Sequence, residues 1–218
     1  MPAPDPTLRH VIVVIGPLAW DSHRGVPTGR AAEVAIDAAR RGRAVEVIAR
    51  IGDDHDGDRL LVELSRLGVG HAAVLRDPAH PTPLHDSEDP LVAADQVSGE
   101  DLSHARSDDR LARAPTRSRI QAADIALALE YLDGIRVVVV DAFDPDAEAS
   151  LNAVLAGAAY HAAEVIVMTA VERAVPGATV LVAALDGDDS TLATVAAAIA
   201  AGVDDGRDPS EMLATFVD

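Results

Sequence analysis

Short β-branched runs alternate with longer stretches of small apolar residues at helical spacing through most of this chain. Val11, Ile12, Val13, Val14 and Ile15, closed by Gly16, form an unbroken apolar run, the pattern of a strand buried on both faces. Residues 17–28 read as a loop. Residues 29–41 carry Ala31, Ala32, Val34, Ala35, Ile36, Ala38 and Ala39, which predicts a helix with a broad small-residue face, stopped by Gly42. A strand is expected over 44–51 and a turn over 53–57. An amphipathic helix follows over 58–67, with Leu60, Leu61, Leu64 and Leu67 on one side and Gly68 at its end. Residues 72–75 read as a short strand.

The pattern dissolves over 76–119, where Pro78, Pro81, Pro83 and Pro90 interrupt a densely charged segment. Only residues 91–94 resemble a strand, so the expectation is an irregular, mobile surface excursion. Order returns with a helix over 120–132, closed by Gly134, and a buried strand at Ile135, Val137, Val138, Val139 and Val140. Asp144 as N-cap and Pro145 at the first helical position open a helix running to about residue 163. Strands are expected over 165–168 and 179–184 and a helix over 190–201. Asp208 and Pro209 open a last helix to about 216. Strands alternating with helices at this spacing predict an α/β fold: one mainly parallel sheet sandwiched by helices, a single domain over 1–218 with the excursion at 76–119.

Composition narrows the partners. With 18 Lys and Arg against 36 Asp and Glu, the net charge of −18 argues against nucleic acid and anionic membranes. The few aromatics, Trp20, Tyr131, Phe143, Tyr160 and Phe216, give no stacking platform for bases. The absence of cysteine removes disulfide and thiol chemistry. The start, rich in proline at Pro2, Pro4 and Pro6, has no signal-peptide pattern, and no apolar run reaches membrane-spanning length, so a soluble cytoplasmic protein is expected.

Candidate chemistry concentrates near residues 185–191. There a strand end, a tight turn at Asp186, Gly187, Asp188 and Asp189, and a small-residue helix follow one another. A turn feeding a helix offers free backbone N–H groups to an anion. Three carboxylates in that turn mean either that one does chemistry or that the place has lost an anion it was built to hold. Asp189 reads equally as an ordinary helix N-cap. Asp53, Asp54, Asp56 and Asp58 around Gly57 lack the ligand spacing of a calcium loop. His80, His85, Asp86, Glu88 and Asp89 lack the spacing of a zinc site, so no metal site is read. Walker, Rossmann and Gly-x-Ser-x-Gly fingerprints are missing from the sequence.

Three stretches together resemble the ribokinase-like (PfkB) family of sugar and nucleoside kinases. Val11 to Gly16 followed by Ala19, Trp20 and Asp21 looks like that family's opening strand and Asn-x-Asp substrate motif, with Asp21 kept and Ala19 in place of Asn. Pro27, Thr28, Gly29, Arg30, Ala31, Ala32 and Glu33 look like its Gly-Gly motif, with Thr28 replacing one glycine and Glu33 the usual Asn. The closest match runs from Ile51 and Gly52 through Asp54 and Gly57 to Leu61, closing at Gly68. Asp186 to Thr191 then falls where the family has its Gly-Ala-Gly-Asp signature. The resemblance implies Asp189 as the base that deprotonates a substrate hydroxyl, Asp186, Gly187 and Asp188 at the anion-hole position, and Asp21, Gly29 and Glu33 as substrate-binding. It also implies Mg·ATP as phosphoryl donor if the protein is active, a sugar or nucleoside as acceptor, and a homodimer as a compatible assembly.

The sequence departs from that family in two ways. It is shorter, the missing part falling between Met168 and Val175, and Asp186 and Asp188 replace both glycines of the anion hole. The resulting expectation is a shortened, degenerate kinase homologue with weak or no ATP-dependent phosphoryl transfer, retaining at most small-molecule binding or an oligomeric role. The alternatives are an active sugar or nucleoside kinase and a non-catalytic α/β interaction module.

Overall fold

In the computed structural model, residues 10–85, 119–142, 148–170, 174–182 and 189–216 are described, Asp189 by its backbone alone. The apolar run Val11–Ile15 (β1) lies at the middle of a parallel sheet. On one side it pairs with Ala44–Gly52 (β4), which pairs with Val69–Asp77 (β5). On the other it pairs with Ile135–Asp141 (β6), followed outward by Glu164–Thr169 (β7) and Thr179–Val182 (β8). The order β5-β4-β1-β6-β7-β8 holds the strands expected near 11–15, 44–51, 72–75, 135–140, 165–168 and 179–184, all parallel.

Alternation along β1 sorts the core into two layers. Ile12 and Val14 face Arg30–Arg40 (α1), His55–Arg66 (α2) and Asp189–Asp204 (α5). Val13 and Ile15 face Ala122–Tyr131 (α3) and Glu148–His161 (α4). A sheet covered on both faces needs apolar side chains at every central position, and Ile12 to Ile15 and Val137 to Val140 meet that need. α1 packs on α5 through Ala31, Ala35, Ala38, Ala193, Ala196, Ala197 and Ala200, all buried. Small side chains let the two helices approach closely, so the core needs few aromatics. A short helix, Pro209–Ala214 (α6), closes the chain with Asp208 as N-cap, accepting from the Ser210 N–H. No helix among the described residues is long and apolar enough to cross a membrane.

The structure corrects several sequence expectations. Residues 17–28 are not a plain loop: Ala19–Asp21 (β2) and Val26–Thr28 (β3) pair antiparallel, with Trp20 opposite Pro27. Three-residue strands are too short to give a periodic signal. β5 spans nine residues rather than four, because an edge strand with one half-exposed face lacks a continuous apolar run. α2 starts at His55 rather than at residue 58, since Asp54 caps it and Gly57 lies inside its first turn. α4 stops at His161, where Ala162 takes φ 52°. Residues 76–85 of the expected excursion are ordered. The strand fragment at 91–94 and the cap at Asp144 and Pro145 lie outside the described residues. β7 and β8 are parallel neighbours joined by residues 170–178 alone, shorter than the dozen or so residues a parallel crossover usually takes. That short connection overlaps the stretch from Met168 to Val175 where the sequence resemblance puts the missing part.

Candidate functional site

The chain leaves β1 toward β4 and β5 and later continues from β6 toward β7 and β8. Connections therefore diverge between β1 and β6, and the C-terminal ends of those two strands form the topological switch point whose crevice takes the ligand in open α/β sheets. Three residues converge there. Gly16 follows β1, Asp141 ends β6 and Arg30 begins α1. A Cβ at Gly16 would lie 2.8 Å from the Asp141 Cβ and 3.0 Å from the Ala31 Cβ, so glycine is what lets α1 and β6 approach. Arg30 Nε donates to Asp141 Oδ2 at 3.2 Å and Arg30 Nη2 to Oδ1 at 3.4 Å. This two-pronged ion pair is desolvated: the side chains are 20% and 2% exposed. The sequence reading assigns neither residue a role: Arg30 lies in the stretch that resembles the Gly-Gly motif but has no function assigned there, and Asp141 is 111 residues away.

α1 begins at this crevice because Gly29 turns the chain. Its φ of 98° and ψ of 154° suit glycine alone, and its carbonyl accepts the first helical bond, from the Glu33 N–H at 2.9 Å. Gly29 is thus required by the backbone. Glu33 sits half-buried in the first turn, where a negative charge complements the helix dipole. Asp21 ends β2 and is 2% exposed. Its Oδ1 accepts from the His23 N–H at 3.0 Å and the Arg24 N–H at 2.9 Å, holding the 22–25 turn of the hairpin. It is therefore a buried, oriented carboxylate rather than a solvated loop residue. α5 opens after β8, at the same sheet end, with Asp189 as its first residue. Asp186, Gly187 and Asp188 lie outside the described residues, as does the Asp189 side chain.

The β2–β3 hairpin covers this end of the sheet together with residues 81–85. The Trp20 N–H donates to the Pro83 carbonyl at 2.8 Å, and the His85 N–H donates to the Trp20 carbonyl at 2.9 Å, a parallel bridge between Trp20 and Leu84. Trp20 is 6% exposed, and its indole N–H finds no acceptor among the described residues. The 81–85 segment is in turn fastened to the end of β4. Asp54 Oδ2 accepts from the Thr82 N–H at 2.7 Å, while Oδ1 accepts from the Thr82 hydroxyl at 2.7 Å and the Gly57 N–H at 2.8 Å. Thr82 Oγ1 accepts from the Gly52 N–H at 3.1 Å. Burial pushes the Asp54 carboxyl upward, but the bonds from Thr82, Gly57 and Asp56 outweigh it and hold it below the usual carboxylate range. The stabilisation is complete above the ordinary aspartate value of about 4 and is lost as pH falls through the lowered pKa.

The other acidic residues of this stretch are engaged in ion pairs. Arg76 bridges Asp53 at 3.2 Å and Asp58 at 2.5 Å, and His80 Nδ1 lies 3.0 Å from Asp77 Oδ2. No group of three or more metal-ligating side chains is found among the described residues.

No protein-family model matches the sequence, and no curated protein is similar to it. Solved structures do match in shape. The PfkB protein from Polaromonas sp. JS666 superposes with a TM-score of 0.59 over 94% of this chain and 92% of that one, at 14% identity. The fructokinase with bound ATP from Xylella fastidiosa gives 0.53 over 88% of this chain and 56% of that one, at 16% identity. The chain spans just over half the length of the first solved structures it matches. At these identities the likeness is one of fold: the ribokinase-like α/β architecture implied by the sequence motifs is the one the chain adopts.

Proposed function

We propose that this protein is a ribokinase-like carbohydrate kinase homologue that binds a small sugar or nucleoside at the β1–β6 crevice and has weak or no ATP-dependent phosphoryl transfer. The observation that carries this reading is the Arg30–Asp141 pair. The cation at the switch point is met by a carboxylate of the chain itself, two of its N–H groups being directed at Asp141. Asp21, oriented by two backbone N–H groups, is assigned to substrate hydroxyls, since a carboxylate accepts more than one at once. Gly29 and Glu33 border the same site from α1.

The weakened transfer rests on Asp186 and Asp188, which stand where the family has the glycines of its anion hole. Two like charges about 4 Å apart cost ~1 kcal/mol in water and ~4 kcal/mol at an effective dielectric of 20. Carboxylates there also accept the backbone N–H groups that a phosphate would need. Asp189, first in α5, is assigned the base position, and Mg·ATP is the donor if any transfer survives.

Calorimetric titration with Mg·ATP tests the reading. The unmodified protein is expected to bind only at millimolar concentrations or above, and the Asp186→Gly/Asp188→Gly variant to bind about tenfold or more tightly, the equivalent of ~1.4 kcal/mol. Submillimolar binding by the unmodified protein would overturn it. If neither form binds, the nucleotide part of the reading fails in a different way, and the short 170–178 connection is then the cause, because the adenine has no walls.

A further inference from the structure

The hairpin is tied to the end of β4 through Thr82, which bonds the Asp54 carboxylate and the Gly52 N–H. Residues 81–85, fastened in this way, pass beside β2 through one parallel bridge and are bonded to both the N–H and the carbonyl of Trp20. The surroundings leave no slack. A Cβ at Gly52 would run into the Thr82 nitrogen and sit 2.7 Å from the Pro81 carbonyl carbon, and one at Gly57 would lie 2.5 Å from the Gly52 oxygen. The Gly52-x-Asp54-x-x-Gly57 spacing is therefore a fastener: two glycines make room, and the aspartate between them grips both the helix start and the strap.

We propose that Asp54 is a positioning residue which, through Thr82, sets the place of the strap 81–85 and with it the β2–β3 hairpin that carries Asp21. This rests on the preceding reading only in calling Asp21 a substrate ligand; the mechanical link from Asp54 to Trp20 stands on the hydrogen bonds alone. Oδ1 of Asp54 serves the helix cap and also accepts from the Thr82 hydroxyl, while Oδ2 serves the Thr82 N–H. Asparagine separates the two jobs. Its carbonyl oxygen keeps the Gly57 bond, while its NH2 group faces the Thr82 N–H as donor against donor. Asp54→Asn thus removes the backbone bond of the strap and sets a repulsive donor pair in its place, leaving α2 capped and the Thr82 hydroxyl bonded.

Trp20 is the sole tryptophan of the chain and sits on the strand that the strap holds, so its fluorescence reports the link directly. In full-length Asp54→Asn, the Trp20 emission is expected to shift to longer wavelength. The Trp20 and His85 amides, which bond across the strap, are expected to lose about 10- to 100-fold of their hydrogen-exchange protection, the worth of a charge-assisted hydrogen bond. The amides of β1 and β6 should keep theirs. Thr82→Ser, which retains both the N–H and the hydroxyl, should behave as the parent, and Thr82→Val, which leaves the Gly52 N–H without its acceptor, should loosen the strap as Asp54→Asn does. Two results would overturn the proposal: Trp20 emission and exchange unchanged in Asp54→Asn, or protection falling equally throughout the sheet. Neither readout needs a ligand, so failure here leaves the small-molecule reading intact, and a failed nucleotide titration leaves this link intact.

Discussion

Asp141→Ala is expected to cost about 3 kcal/mol of unfolding stability in a urea titration, the lower end of what breaking a buried ion pair costs. The loss arises less from the missing attraction than from what remains. Arg30 would keep its charge in a largely dry crevice, with two N–H groups no longer meeting the carboxylate they now address. Its fifth of exposed surface places the figure at the low end, because water reaches part of the guanidinium. Asp141→Asn keeps the shape and one acceptor and should cost less. Removing both charges with Arg30→Met and Asp141→Leu should recover much of the loss, since a well-packed apolar pair replaces an ion pair at little cost. Equal stability of Asp141→Ala and the parent would mean that the pair contributes nothing and that Arg30 is solvated in solution.

Gly52→Ala should be of similar size, about 3 kcal/mol, the upper end of overpacking a tight site. The added methyl meets backbone, at the Thr82 nitrogen and the Pro81 carbonyl carbon, and also Asp54 Oδ2 at 2.5 Å. Backbone atoms cannot swing aside as a flexible side chain does, so either β4 or the strap must move, and the Gly52–Thr82–Asp54 bonds break with it. For a chain of this length the thermal midpoint should fall by roughly 6–12 °C. Gly68→Ala is the control: its Cβ would meet nothing within 4 Å, so only the strain of its φ of 78° acts there. A Gly52→Ala melt no lower than that of Gly68→Ala would contradict the packing argument.

The fold was legible in the sequence wherever burial is two-sided. β1 and the Val137 to Val140 part of β6 are unbroken apolar runs because both faces are covered, and α1 and α5 show as alanine-rich segments because they pack on each other. The edge strand β5 was half visible, its pattern blurred by the exposed face, and the three-residue strands β2 and β3 left no periodic trace at all. Trp20 opposite Pro27, the pair that holds the hairpin register, is a tertiary fact rather than a local one.

The candidate site divides the same way. Motif resemblance led to Asp21 and Gly29, which lie on the elements that follow the C-terminal end of β1. The same resemblance drew attention to the stretch from Gly52 to Gly57, whose role only the structure supplied: the partner of Asp54 is Thr82, 28 residues away in a segment that reads as irregular. Arg30 and Asp141 are 111 residues apart, and single-sequence spacing carries no signal for such a pair. A cue was present at Gly16, since a glycine closing a buried strand marks close approach by another element.

Phosphoryl transfer itself tests the central claim most directly. Purified full-length protein, Mg·ATP and a panel of sugars and nucleosides would be followed for ADP release, with Asp189→Asn run in parallel. The expected result is release at the background rate for every acceptor, unchanged by the substitution. Acceptor-dependent turnover that disappears in Asp189→Asn would contradict the account and establish an active kinase.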